Sequence, residues 1–267
     1  MAGQKLDDYY YNNKLIWKDT YKISDKYTYK KIDKIDGNAL LEKDISSLIQ
    51  NIKPIIKVFN DDIITTSLAV LEYGFNPLIL LPANDNYPIK SVKQGVYSTE
   101  CDFYRCTNLC KVIDEYNYPI HNLDMIYCPE ITLFRNNTDY KILEQTYKIS
   151  LILSTPIKKP SLIYAIQSET MEEQYNNVSD EYSMKNKIDN IFKFALLNNY
   201  DCLILTDFGC QQDQNPIKKI IQFFNDSIKK YPIKYVFFAV KPEKDMFSEK
   251  NKKDNKNFLL FHELIHR

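Results

Sequence analysis

Pro77-Leu78-Ile79-Leu80-Leu81-Pro82-Ala83-Asn84-Asp85-Asn86-Tyr87-Pro88 decides how this chain is read. The apolar run Pro77 to Leu81 is a β-type segment, and the polar stretch behind it ends the strand. A loop containing Gly95 follows, and Ser98-Thr99-Glu100-Cys101-Asp102-Phe103-Tyr104-Arg105 reads as the start of a helix. A strand that runs through a polar loop into a helix is the usual ligand site of an α/β protein. Backbone N–H groups at the helix N-terminus, aided by the positive end of its dipole, face an anion there. Such cradles rely on glycine, which lets the backbone approach a ligand closely and at positive φ. The chain has 5 Gly in 267 residues, and this loop holds one of them. The frame of a phosphate site is present without its usual glycines.

Outward from this stretch, strand and helix patterns alternate. Leu40, Leu41, Ile45, Leu48, Ile49 and Ile52 predict a helix over Ala39 to Ile52, stopped by Pro54. Ile55 to Phe59 reads as a strand. Asp61 or Asp62 then caps a helix that runs to Leu71 and closes at Gly74, so that Ile55 to Leu81 forms a compact βαβ unit. A helix is expected near Thr99 to Ile113, and strands at Met125 to Arg135 and Lys148 to Leu153. Residues 166–182, acidic and polar, read as a long surface loop. Met184 to Leu197 is an amphipathic helix, Cys202 to Leu205 a buried strand, and Pro216 opens a further helix. Tyr235 to Val240 is the last strand, followed by a charged linker and a terminal helix, Asn257 to Arg267. Residues 1–38 are polar and Tyr-rich without a clean period and read as an N-terminal extension to a domain spanning 39–267. The alternation predicts a three-layer α/β sandwich with a mostly parallel sheet.

Composition narrows the function classes. Lys+Arg 35 balances Asp+Glu 35, which gives no global electrostatic case for nucleic acid. The basic run Lys250 to Lys256 reads as solvated linker. No stretch approaches the ~20 apolar residues of a membrane span, and Met1 to Asp8 lacks the apolar core of a signal peptide, so an intracellular protein is expected. The 6 Cys form no Cys-x-x-Cys pair and read as reduced and mostly buried; Cys106 and Cys110 share one face of the expected helix. Neither a cofactor nor a bound metal is expected. The heavy use of Lys, Asn, Ile and Tyr is typical of AT-rich genomes, large DNA viruses among them, and carries no mechanism.

A second loop, Leu203-Ile204-Leu205-Thr206-Asp207-Phe208-Gly209-Cys210-Gln211-Gln212-Asp213-Gln214-Asn215-Pro216, repeats the logic of the first. It too leaves a buried strand for a helix N-terminus, and two such loops at strand C-terminal ends can converge on one ligand. With this pair in view, residues 55–267 resemble the microbial-type poly(ADP-ribose) glycohydrolases, a family with a macrodomain-like fold. Several segments carry the likeness. Ile56-Lys57-Val58-Phe59-Asn60-Asp61-Asp62, with Gly74-Phe75-Asn76-Pro77-Leu78-Ile79-Leu80, is similar to the family's opening unit. Ala83-Asn84, Pro88, Gly95, Glu100, Arg105 and Leu109 fall in register with its catalytic-loop region. Tyr127-Cys128-Pro129-Glu130-Ile131-Thr132-Leu133-Phe134 is similar to its Tyr-Ser-Pro-x-Val-x-x-Phe segment. Phe208-Gly209-Cys210 and Asn215-Pro216 match its second loop.

The departures fall on the chemistry that the resemblance implies. Three consecutive glycines of the family become Ile89-Lys90-Ser91, and its Gln-Glu-Glu becomes Thr99-Glu100-Cys101. The second of those glutamates is the family's catalytic acid, and a thiol at its place is a poor proton donor at neutral pH. In the second loop Gln211 replaces a glycine, and Asp213 an aromatic residue that packs on the ligand. The resemblance therefore implies an ADP-ribose reader or interaction module with impaired catalysis, its partner ADP-ribose or an ADP-ribosylated protein. The alternative is an active glycohydrolase using Glu100. The ligand residues it implies are Asn84, Gly95, Glu100, Arg105, Gly209, Cys210 and Asn215. Four of them have a plain structural reading beside it. Glu100 sits where a helix dipole favours a carboxylate, Asn84 where a turn needs shaping, and Gly209 where the backbone turns. Arg105, as a helix residue, is suited to packing or to pairing with a carboxylate.

His262-Glu263-Leu264-Ile265-His266 is a formal His-Glu-x-x-His, which on a helix places two imidazoles on one face for a zinc hydrolase. Only Arg267 remains downstream to supply a third ligand, and Phe258, Leu259, Phe261 and Ile265 read as a packing face. A chance occurrence is the favoured reading.

Overall fold

The computed structural model describes residues 2–49, 51–167, 170–241 and 255–265. Helix α1 (Ala2–Ile23) leads through β1 (Asp33–Ile35) and α2 (Gly37–Glu42) to β2 (Ile55–Phe59), α3 (Ile63–Glu72) and β3 (Leu78–Pro82). Then come α4 (Ile89–Gln94), α5 (Thr99–Cys106), β4 (Met125–Arg135) and β5 (Ile142–Ser154). The hairpin β6 (Leu162–Gln167) and β7 (Thr170–Tyr175) precedes α6 (Val178–Leu197), β8 (Cys202–Leu205), α7 (Ile217–Lys230), β9 (Tyr235–Ala239) and α8 (Lys256–Leu264).

The main sheet has the order β1-β4-β5-β3-β8-β9-β2. It is parallel from β5 to β2, with β4 and β1 antiparallel at one edge. Because successive strand side chains face opposite ways, the central strands feed two cores. Ile79, Leu81, Cys202 and Ile204 point into a layer with α1, α3 and α5, while Leu78, Leu80, Leu203 and Leu205 meet α6, α7 and α8. Strands buried on both faces read as continuous apolar runs, which is why β3 and β8 stand out in the sequence. The result is a three-layer, macrodomain-like α/β sandwich.

Several expectations need correction. The segments at 55–59, 63–72 and 78–82 form as predicted, but β2 and β3 are not neighbours, since β8 and β9 lie between them. The helix expected over Ala39 to Ile52 ends at Glu42. Asp44 accepts hydrogen bonds from the Ser46 amide (2.9 Å) and hydroxyl (2.6 Å), a local alternative to the helical ladder, and only a 3-10 turn forms at Ser46–Leu48. The helix expected to reach Ile113 stops at Cys106, where the Thr107 hydroxyl donates to the Phe103 carbonyl (2.6 Å) and accepts from the Leu109 amide (3.1 Å). Cys106 and Cys110 therefore do not share a helix, and all six cysteines are free. The surface loop expected at 166–182 is instead the β6–β7 hairpin and the first turns of α6, capped by Asn177.

Residues 2–23 form a helix that the sequence pattern hides. Its buried face is partly polar, so no apolar stripe marks it. Asn13 donates to the Gly95 carbonyl (2.9 Å), Thr20 to the Arg105 carbonyl (2.6 Å), and Asp19 pairs with Arg135. Trp17, only 5% exposed, packs into the same core as α5. On α8, Phe261 and Ile265 are buried while His262 and Glu263 are exposed. His266 and Arg267 lie outside the described residues, as does most of the basic run near Lys250.

Candidate functional site

The C-terminal ends of the parallel strands open onto one cleft, the position at which open α/β sheets take ligands. Its walls come from the segments after β2 (Asp62), β3 (Ala83, Asn84), β5 (Pro156, Lys158), β8 (Asp207 to Asp213) and β9 (Lys241), with the N-terminus of α5 on one side. That N-terminus is set by two local devices. Gly95 ends α4 with φ 82°, and Ser98 caps α5 by accepting from the Cys101 amide at 3.1 Å. Glu100 and Cys101 are thereby fixed in the first turn, about 100° apart around the helix axis.

Their surroundings differ accordingly. Glu100 lines the cleft from a nearly buried position. Its Oε2 accepts from the Asn84 amide at 3.1 Å and from Asn84 Nδ2 at 2.5 Å, and its Oε1 accepts from the Tyr118 hydroxyl at 2.7 Å. Burial pushes the carboxyl up to about 7, against the opposing hydrogen bonds from Tyr118 and Asn84 and the charge of Lys158. Cys101 does not line the cleft. It is 1% exposed within the α5 core, and burial raises its thiol above the ordinary range.

The remaining charges are unevenly placed. Asp62 caps α3 and accepts from the Ile64 and Thr65 amides and from Asn137 Nδ2 (2.7 Å). Burial pushes its carboxyl up, but the charge of Lys241 and these hydrogen bonds outweigh burial and leave it below the usual range. Asp213 is raised by burial. Asp207 accepts from Gln211 Nε2 (2.8 Å) and Asn257 Nδ2 (2.9 Å). The lysines of the cleft are Lys158, paired with Asp85 at 3.0 Å, and Lys241, which donates to the Tyr97 hydroxyl at 2.6 Å.

Of the residues singled out in the sequence, Asn84, Glu100 and Gly209 meet at the cleft. Gly209, at φ 84°, is hemmed in, since a Cβ there would stand 2.6 Å from Pro156 Cβ and 2.7 Å from Asn215 Nδ2. The others sit behind the wall. Gly95 faces α1, where a Cβ would lie 2.3 Å from the Tyr10 carbonyl oxygen. Arg105 is fully buried, donates to the Val96 carbonyl at 2.7 Å and lies 3.5 Å from Asp102, so it braces the α4–α5 connection and does not line the cleft. Asn215 donates to the Ile157 (2.7 Å) and Gly209 (3.1 Å) carbonyls and accepts from Tyr175 (2.7 Å), tying three segments together. The Cys210 amide closes a turn on the Asp207 carbonyl at 3.0 Å, and its thiol is raised by burial. Sequence reasoning missed Tyr97, Tyr118, Lys158 and Lys241. Lys158 and Lys241 each follow the end of an expected strand, and that position was the available signal; nothing local marks the two tyrosines.

Among the described residues no group of three or more His, Cys, Asp or Glu is placed to hold a metal ion. No described helix is long and apolar enough to cross a membrane.

This sheet order, with the cleft at its parallel C-terminal edge, defines the macrodomain-like class. Within that class, the chain shares its fold with microbial poly(ADP-ribose) glycohydrolases across most of its length. The enzyme from Thermomonospora curvata superposes with a TM-score of 0.74 at 14% identity, covering 94% of this chain and 98% of that one. The same enzyme bound to the inhibitor ADP-HPD gives 0.71 at 14% identity, with the same coverage. The Deinococcus radiodurans enzyme in complex with ADP-ribose gives 0.67 at 13% identity, covering 88% of this chain and 94% of that one. No protein-family model matches the sequence, and no curated protein matches it.

Proposed function

We propose that the chain takes ADP-ribose in this cleft and hydrolyses the glycosidic bond to its ribose, with Glu100 as the acid. The single observation that carries the reading is Glu100 itself. It is a carboxyl at the cleft wall, held by three donors and poised near pH 7. A general acid works best when its pKa lies near the operating pH. Glu100 gives its proton to the departing ribosyl oxygen as that bond breaks. The resulting carboxylate then takes a proton from the water that adds to the sugar carbon, which restores the acid. Asn84 keeps Oε2 in place and leaves proton transfer to Oε1. The solved structures of similar fold support the ligand class, since one of them holds ADP-ribose.

A second reading has its own support. Asp207 and Asp213 line the cleft, and Ile89 to Gln94 form a helix at the family's glycine run. Both weaken a diphosphate cradle and with it the case for turnover, which leaves a divergent member kept as a weak reader or as an interaction module. Calorimetric titration with ADP-ribose, followed by release assays on poly(ADP-ribose), divides the two. Release that falls about 10²-fold or more in Glu100→Gln is the result expected of the hydrolase. Binding without release supports the reader, and release indifferent to Glu100→Gln overturns the assignment of the acid.

A further inference from the structure

Helices α4 and α5 are 6 and 8 residues long, too short to hold their shape alone, so the turn that carries Glu100 needs support from outside. Each also ends on carbonyls that its own ladder leaves unpaired. Helix α1, 22 residues long, meets both needs. Asn13 Nδ2 donates to the Gly95 carbonyl at 2.9 Å, where α4 ends. The Thr20 hydroxyl donates to the Arg105 carbonyl at 2.6 Å, in the last turn of α5. The two donors lie two turns apart on one face of α1, about 10 Å along its axis, and α5 is itself about 12 Å long. They therefore grip α5 just ahead of its start and close to its end. Both are buried, so neither bond competes with water.

We infer that α1 is a splint for the acid side of the cleft, and that Asn13 and Thr20 are positioning residues which hold the first turn of α5, and with it Glu100, at the wall. The bearing on catalysis rests on the reading of Glu100 as the acid.

The path from the splint to Glu100 is short and bonded along its length. A Cβ on Gly95 would stand 2.3 Å from the Tyr10 carbonyl oxygen, so α1 lies directly on the backbone there. One residue on, Arg105 donates to the Val96 carbonyl at 2.7 Å, which holds the α4–α5 connection from its other side. Tyr97 follows, its ring 6.5 Å from that of Tyr9 on α1 and its hydroxyl accepting from Lys241 at 2.6 Å. Ser98 then accepts from the Cys101 amide (3.1 Å) through its side chain and from the Asp102 amide (2.9 Å) through its carbonyl, closing the turn in which Glu100 sits. The splint is itself anchored. Trp17, between the two donors, packs in the same core as α5, and Asp19 pairs with Arg135 at the end of β4. A helix that only lent stability would act on the whole fold alike, whereas a splint acts on the local freedom of α5.

That difference is measurable. Thr20→Val keeps the shape and loses the hydroxyl, Thr20→Ser keeps the hydroxyl, and Asn13→Leu keeps the size and loses the donor. Amide hydrogen exchange of the full chain is read at Cys101 and Asp102, which close the Glu100 turn, and at Ile79, which pairs with strands on both sides of β3. In Thr20→Val and Asn13→Leu the two α5 amides are expected to exchange about five- to tenfold faster relative to Ile79, and in Thr20→Ser as in the native chain. A loosened turn also lets water reach Glu100. Its carboxyl, followed by carbon-13 NMR and assigned by the resonance absent from Glu100→Gln, is then expected to titrate below about 7, toward 4.5. Unfolding followed at Trp17, the chain's one tryptophan, checks that each variant folds, and if one of the two does not, the other decides. Exchange that quickens in step at all three amides, or equally in Thr20→Val and Thr20→Ser, overturns the splint. So does a Glu100 titration that stays near 7 in both variants. Exchange needs neither ligand nor turnover, so a native chain whose Glu100 titrates near 4.5 sinks the hydrolase reading and leaves the splint to be decided by exchange.

Discussion

Glu100→Gln tests the environment of the cleft before any ligand is added. Burial lifts the Glu100 carboxyl from 4.5 to about 7, so the folded chain holds this proton more tightly than the unfolded chain does. A carboxyl raised in this way contributes stability that is complete below pH 4.5 and is lost as pH climbs through about 7. At 1.36 kcal/mol per pH unit the loss is about 3 kcal/mol. Because the side chain is almost wholly buried, solvent screening reduces this little. The amide is neutral at every pH and copies the protonated form, with its oxygen toward Asn84 and its NH2 toward Tyr118. Urea unfolding of the native chain and of Glu100→Gln, from below pH 4.5 to above pH 7, gives two stability curves whose difference cancels every other titration. The variant is expected to gain on the native chain by about 3 kcal/mol across that window and to run parallel to it above. A difference that stays flat refutes the reasoning, because Glu100 would then titrate like a solvated carboxyl and could not serve as a proton donor near neutral pH.

Trp17→Ala is expected to cost about 3–5 kcal/mol in chemical unfolding, the usual penalty for emptying a buried aromatic site, since α1 belongs to the packed layer. An unchanged midpoint would show that residues 2–23 are dispensable. Lys241→Met is expected to weaken ADP-ribose about tenfold, or 1.4 kcal/mol, and to flatten the dependence on salt, because it removes one of the lysines lining the cleft. Calorimetry at two salt concentrations checks this, and unchanged affinity would place the diphosphate elsewhere.

What the sequence reveals follows from what each segment buries. β3 and β8 are covered on both faces and carry unbroken apolar runs, so both strands are legible, while the sheet order, which sets β8 and β9 between β2 and β3, is not. α1 is illegible for the opposite reason. Asn13 and Thr20 are buried polar residues bonded to α4–α5 backbone, and they interrupt the pattern that announces a helix. Gly95 and Arg105 are ligand candidates only through the family resemblance, and the plain reading of Arg105 as a packing residue of its helix is the one that fits. Their partners, the Tyr10 backbone and the Val96 carbonyl, are contacts that spacing does not encode. Tyr118 reaches Glu100 across 18 positions of chain and could be found only in the folded molecule.

The weightiest gap between sequence and structure is a single residue of helix phase. The resemblance puts the family's catalytic glutamate at Cys101, and a thiol there argues for lost activity. Adjacent residues of a helix point about 100° apart, and only one of the two can face a given wall. With Ser98 as the cap, that one is Glu100, and Cys101 turns into the α5 core, where a carboxylate would be buried among apolar side chains. A cysteine at 101 thus speaks to the packing of α5, and on the proposed reading Glu100 handles the proton without a carboxylate there. On the same reading the altered half is the one proposed to take the diphosphate, with a helix in the family's glycine run and Asp213 at the second loop. Such a division predicts weak binding joined to a competent acid, so a low rate of release at dilute substrate should rise steeply as substrate is raised, whereas loss of the acid would keep it low at any concentration.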